Sequence, residues 1–365
     1  MSAMQMAAVA ADTFDAAKSE AFAARMGEAI NRSALVLMTS VGHRTGLFDQ
    51  MATMGPSGSS EIAAGAGLDE RYVREWLGAM VTGGVVAYDP EAGRYVLPAE
   101  HAAWLTRAAS PNNLAVSAQW VPLLARSEAE VIERFRHGGG TCYHHYHGFH
   151  EAMAEESAQT AVLPLFDAIL PLVPGMPGRL EHGIDVLDAG CGSGRVLLAM
   201  AAKFPRSRFV GYDLCPEALE AGRREAGRLG LANIRFEARD LTAYDEPGAF
   251  DFVTTFDAVH DQKDPAGLLR GLARALRPGG AYLMQDIGGS SHLERNLDHP
   301  LGTFLYTISC MHCMAVSLGQ GGAGLGAMWG VELAERMLRE AGFTRITVRR
   351  LPHDPVNAYF VSTIG

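Results

Sequence analysis

The nine residues Val186 to Gly194, VLDAGCGSG, constrain this chain most: an apolar run broken by one acid, then three glycines at two-residue intervals. This pattern predicts a buried strand entering a tight loop. Without Cβ atoms in the way, the loop's backbone N–H groups can approach a ligand, and the helix that follows adds its positive N-terminal end. A nucleotide or a nucleotide-like cofactor is the natural guest. The spacing Gly190-x-Gly192-x-Gly194 is followed directly by Arg195, so the third interval of the dinucleotide fingerprint Gly-x-Gly-x-x-Gly is missing, which argues against a nicotinamide cofactor.

Further strands follow in order. FVGYD ends in Asp213, where a carboxylate can take both hydroxyls of a ribose, and NIRFEARD ends in Asp240, in reach of an adenine amino group. FDFVTTFDAVHD follows Pro247-Gly248 and ends in Phe256, Asp257 and His260. A helix from Pro265 to Leu276 leads through RPGG into a fifth strand, AYLMQD. Strands alternating with helices predict an α/β fold with a doubly wound parallel sheet and ligands at the carboxyl ends of its strands.

VLDAGCGSG, the acid of GYD, the Asp of EARD and the late RPGG together resemble the successive motifs of the class I S-adenosylmethionine-dependent methyltransferases. The resemblance covers roughly the second half of the chain and implies a Rossmann-like, seven-stranded domain that binds S-adenosyl-L-methionine. By position it implies that Asp188, Gly190, Gly192 and Gly194 cradle the methionine part. Asp213 with Leu214 would take the ribose, Asp240 with Leu241 the adenine, and Phe256 would border the same site. Read without the resemblance, each acid is a helix cap or a solvated strand end.

Three regions are expected: 1–104, 105–180 and 181–365, the last with an insertion at about 287–330. A chain of 365 residues is long enough for two domains. A net charge of −10 disfavours nucleic acid as the main partner, because phosphate binding needs concentrated Lys and Arg. The opening MSAMQMAAVAA lacks a basic flank and runs into Asp12 and Asp15, so it does not read as a signal peptide, and no run approaches a membrane span. Five cysteines do not make a disulfide framework, so a reducing cytoplasm is the expected location.

The first half differs in kind. Helical periodicity runs from Ala16 to Met54, with more apolar residues than a solitary helix can use, which predicts packing on a partner. A helix from Ser60, a Gly67 turn, a helix from Asp69 to Met80 and a hairpin through Asp89–Gly93 follow the helix-turn-helix plus wing pattern. Asp69, Glu70 and Glu75 oppose Arg71 and Arg74 on the second helix, so a dimerisation module is favoured over a DNA reader. The region is similar to the N-terminal domain of plant-type small-molecule O-methyltransferases and of a bacterial branch labelled as transcriptional regulators. The former implies a homodimeric enzyme, the latter a cofactor-sensing regulator as the alternative.

Methyl transfer is an in-line displacement, and a protonated acceptor needs a base. His260 stands just past the fourth strand, and plant-type enzymes have His-Asp-Trp at the place of His260-Asp261-Gln262, with that histidine as the base. Gln262 departs from the tryptophan, which bears on the shape of the acceptor pocket. Asp286, ending the fifth strand, is the group expected to orient His260 or the substrate, since an imidazole needs a partner on its other nitrogen. The small-molecule acceptor is expected to offer a hydroxyl first, a thiol or an amine otherwise.

Five of thirteen histidines fall between His137 and His150, which brings His144 and His145 forward as substrate residues. Phe149-His-Glu-Ala-Met153 resembles the Phe-Asn-x-Ala-Met segment of plant-type enzymes, in which the methionine lines the substrate; core packing of Phe149 and Met153 on one helix face is the equal alternative. The long insertion after Asp286 predicts a helical cap over the acceptor, with Cys310, His312, Cys313 and Trp329 as soft lining. A metal held by Cys310, His312 and Cys313 is the lesser reading, because Cys-x-x-Cys has no second pair here, and no metal is assigned.

Overall fold

The computed structural model describes residues 14–142 and 146–365. They fall into two compact units, one up to Val121 and one from Pro122 to Gly365. In the first unit the periodic stretch forms two helices, Ala16–Thr45 and Leu47–Ala52, because Gly46 turns left-handed at φ 76° and ends the first. The next helix, Ser59–Ala66, starts one residue before the expected Ser60. Asp69 caps Glu70–Thr82 by accepting from the backbone N–H groups of Arg71 and Tyr72. The wing is the antiparallel pair β1 (Ala87–Asp89) and β2 (Arg94–Val96). Phe48, Trp76, Leu77 and Met80 centre the core of this unit, and the Trp76 indole N–H donates to the Met38 carbonyl at 2.9 Å.

The second unit carries a seven-stranded sheet in the order β5-β4-β3-β6-β7-β9-β8. Its strands are β3 (Asp185–Ala189), β4 (Arg208–Asp213), β5 (Ile234–Ala238), β6 (Phe250–Phe256), β7 (Leu276–Ile287), β8 (Arg345–Leu351) and β9 (Asp354–Thr363). All pairs from β5 to β7 are parallel, and β9 runs antiparallel to both β7 and β8. The order reverses between β3 and β6, which opens a crevice at their carboxyl ends.

The helix before β7 is Pro265–Ala275, and Arg277–Gly280 lies inside the strand, not before it. Those residues form a bulge, across which the register moves from Phe250↔Leu276 to Phe252↔Ala281. Each face of the sheet has its own core. Val186, Phe252 and Leu283 pack on one side; Leu187, Val253 and Met284 pack on the other. By the same two-residue period Gln285 and Asp286 leave β7 on opposite faces. The insertion contains one helical rod, Gly302–Ile308, Ser309–Cys313 and Met314–Gly319, whose middle turn is π-helical, a feature found often at functional sites.

Candidate active site

The glycine loop folds back on β4, with Gly190 and Cys191 N–H both donating to the Tyr212 carbonyl at 2.8 and 3.0 Å. A Cβ on Gly190 would stand 2.7 Å from that of Ala258, and one on Gly194 2.2 Å from the Phe236 ring. Packing therefore requires those two glycines. A Cβ on Gly192, at φ 54°, would meet no atom within 4 Å, and the open space there is the part of the loop a ligand can approach.

Gly192 N–H donates to Asp213 Oδ2 at 2.7 Å and Cys215 N–H to Oδ1 at 2.8 Å, so two amides aim the Asp213 carboxylate from the strand end. Asp188 is 3 % exposed and accepts from Thr254 Oγ1 at 2.7 Å. Burial raises its carboxyl to about 7, although the Thr254 bond pulls it down. An approaching ammonium group would restore its charge, so the donor set fits the methionine end of S-adenosylmethionine. Arg239 N–H still bonds the Asp213 carbonyl at 2.8 Å, which keeps the chain after β5 beside β4. There Asp240 is exposed and accepts from Thr242 N–H at 2.9 Å, Leu241 is buried, Leu214 is 60 % exposed and Phe256 is half-buried.

At the ends of β6 and β7, His260 Nδ1–H donates to Asp286 Oδ1 at 2.7 Å, both side chains being buried. The same oxygen accepts from Trp329 Nε1–H at 3.0 Å and from Ile287 N–H at 2.8 Å. Burial alone would lower the His260 imidazole, but the Asp286 carboxylate and Cys313 hold it well above its usual value. Ala258, which touches the glycine loop, lies two residues before His260, so the two halves of the site adjoin.

His312 is buried, stacked on Phe149 at 3.9 Å and 11°, and edge-on to Tyr146 at 4.5 Å; burial lowers it to about 3, so it stays neutral. Cys313 is buried, and Met153 and Cys310 are half-buried. His150 Nε2 stands 3.3 Å from Cys215 Sγ, two residues past Asp213. The expected substrate residues His144 and His145 lie outside the described residues. Among the described residues no three of His, Cys, Asp and Glu are grouped to hold a metal ion.

Sequence reasoning missed Thr254, the partner of Asp188, and the role of Gln285 beside Asp257, whose Oδ2 accepts from Gln285 Nε2 at 3.1 Å. Two polar residues, Thr254 and Thr255, following the apolar pair Phe252-Val253 of β6 were the available signal for the first.

Residues 33–107 match the model of an Rv2258c-like winged HTH domain, and residues 180–348 that of a methyltransferase domain. A ubiquinone biosynthesis O-methyltransferase of Xanthomonas euvesicatoria is 30 % identical over 156 residues, 37 % of this chain and 64 % of that protein. The chain thus spans under two thirds of the length of this curated relative. A candidate O-methyltransferase of Nostoc punctiforme PCC 73102 superposes with a TM-score of 0.70 at 21 % identity, covering 96 % of this chain and 99 % of that one. Human N-acetylserotonin methyltransferase in complex with S-adenosylmethionine superposes at 0.66 and 16 % identity, covering 97 % and 99 %. At these identities the likeness is one of fold. The chain is a winged helix-turn-helix domain followed by a methyltransferase domain, built on the fold of the class I S-adenosylmethionine-dependent methyltransferases.

Proposed function

We propose that this protein transfers the methyl group of S-adenosylmethionine to a small-molecule acceptor, a hydroxyl in the first place, with a thiol or an amine as the other acceptors the site admits. The observation that carries the reading is the buried His260–Asp286 pair, Nδ1 to Oδ1 at 2.7 Å, next to the glycine loop. When bound, the cofactor supplies a methyl carbon activated by a sulfonium. Asp188 holds the ammonium of its methionine end, Asp213 the ribose hydroxyls, and Asp240 with Leu241 the adenine. Because the Asp286 carboxylate can only accept, the proton of His260 sits on Nδ1, and Nε2 is the nitrogen that removes the acceptor's proton. Asp286 then stabilises the imidazolium, and Trp329 and the Ile287 amide keep its Oδ1 in place. The regulator reading is not favoured, since Arg71 and Arg74 on the second winged-helix helix pair with Glu75 and Glu70.

Calorimetry with S-adenosylmethionine, S-adenosylhomocysteine and NAD, followed by label transfer to hydroxyl, thiol and amine panels, tests this. The sulfur cofactors should bind and NAD should not. Tight NAD binding, or no binding of either sulfur compound, overturns the assignment.

A further inference from the structure

At the end of β6 one carboxylate is placed in an unusual way. Asp257 has φ 49°, the one non-glycine residue with positive φ among the described residues. Its N–H donates to the Gln285 carbonyl at 3.0 Å, which extends the β6–β7 pairing by one residue, and its Oδ2 accepts from Gln285 Nε2 at 3.1 Å. Asp257 Oδ1 and Gln285 Oε1 are both buried and neither takes part in a hydrogen bond. Gln285 is itself 1 % exposed, and its amide nitrogen is held to Asp257.

The surroundings are negative. Burial, then the Asp286 carboxylate, pushes the Asp257 carboxyl well above the usual range; Asp354 and Glu156 act in the same sense, and His260 alone opposes them. Asp354 cannot supply a donor, because its two oxygens accept from Val356 N–H, Asn357 N–H, Asn357 Nδ2 and Tyr359 OH. Asp257 thus stands in the left-handed region, and its Oδ1 and Gln285 Oε1 are buried oxygens with no hydrogen-bond partner within the protein. A group that brings N–H donors and positive charge would satisfy both oxygens and the field at once.

We propose that Asp257 and Gln285 form a subsite for an amino group of the methyl acceptor, distinct from the atom that is methylated beside His260. The subsite rests on the methyltransferase reading and names the acceptor class: a hydroxyl compound that also carries an amine. Asp257 and Gln285 act as specificity residues and take no part in the displacement.

The test is calorimetry in the presence of S-adenosylhomocysteine with matched probes: dopamine against 4-ethylcatechol, and tyramine against 4-ethylphenol. At least one amino member should bind about tenfold or more tighter than its partner, as a charge-assisted hydrogen bond in a buried site allows. Asp257→Asn, which tolerates the left-handed backbone, should cut that ratio to about threefold or less, and Gln285→Met should act in the same direction. Binding of S-adenosylhomocysteine by each variant reports that the domain is folded. Equal affinities within every pair, or a ratio untouched by both variants, overturns the subsite. So does a methyl group found on the amino nitrogen of a turned-over probe. Failure of wild-type protein to bind S-adenosylhomocysteine would instead overturn the parent reading, and the two failures are thereby distinguished.

Discussion

At the scale of single residues the proposed chemistry turns on how one imidazole is held. His260 is raised above the ordinary histidine value of 6.5 by Asp286, so it carries its proton to higher pH than a free histidine. The sign follows. The pair's contribution to stability is complete below 6.5 and is lost as pH rises through the raised value, whereas the free base appears only above it. A pH profile of kcat/KM should therefore rise with an inflection above 6.5, and Asp286→Asn should move that inflection down. His260→Ala should lower turnover by about 10² to 10⁴ while calorimetry finds the cofactor affinity retained. An alanine variant losing both together would make His260 structural. The positions of His260, just past β6, and of Asp286, near the end of β7, were legible in the sequence because both follow apolar strand runs. The link from Trp329 to Asp286 was not, since it joins residues 43 apart through an insertion whose path no local pattern encodes.

Among the elements, the insertion between β7 and the helix Val331–Glu340 shows how a long excursion is anchored. Its two ends are stitched together: Val331 N–H donates to the Gly289 carbonyl at 2.9 Å, and Ser291 Oγ to the Trp329 carbonyl at 2.6 Å. Gly330, at φ 83°, is required here, because a Cβ would meet the Ser291 backbone N at 2.0 Å. Glu332 completes the clamp, accepting from Ser290 Oγ, Ser291 N–H and Arg295 Nη1 at 2.8, 2.8 and 3.0 Å. Burial would raise Glu332, but the bonds from Ser291, its own amide, Ser290 and Arg295 outweigh it and bring the carboxyl down to about 2. A depressed carboxyl stabilises above its unfolded value of 4.5, and that contribution is lost as pH falls towards about 2. The Glu332 side chain is 38 % exposed, so the effect is discounted for screening. Glu332→Gln should cost about 1 kcal/mol in urea unfolding at neutral pH and little in strong acid. An equal loss at both pH values would show that shape and not charge closes the clamp. The length of this insertion was plain in the sequence, and so was the order of the strands, because glycine loops and apolar runs are local signals. The π-helical turn at Ser309–Cys313 and the bulge that absorbs Arg277–Gly280 into β7 were not, since both are set by packing on distant residues.

For the whole molecule, the open question set by the sequence is what covers the first helix. Along Ala16–Thr45 the apolar residues Phe22, Met26, Ile30, Leu37 and Val41 recur at intervals of four and seven, on one stripe of the helix, and all are exposed, Ile30 to 68 %. The helix has 30 residues, about 45 Å, and every residue as far as Ala34 is exposed, so packing within its own unit does not hold its first half. A stripe of this length is more than a monomer ordinarily leaves in water, and a second copy of the same stripe is the partner that two-fold symmetry supplies. The winged-helix order was readable from caps and glycines, but the break at Gly46 was not, because a left-handed residue leaves the apolar periodicity on either side intact. The resulting expectation is a homodimer in solution, checked by light scattering. Deleting residues before Gly55 is a poor test, since it removes Leu47, Phe48 and Met51 from the core of the unit. Met26→Asp with Ile30→Asp changes only exposed positions, and unpaired carboxylates facing each other across a two-fold axis disfavour association by several kcal/mol. The double variant should therefore be a folded monomer with unchanged helix content by circular dichroism. A monomeric wild type, or a dimer that survives both aspartates, would mean that the stripe serves some other contact.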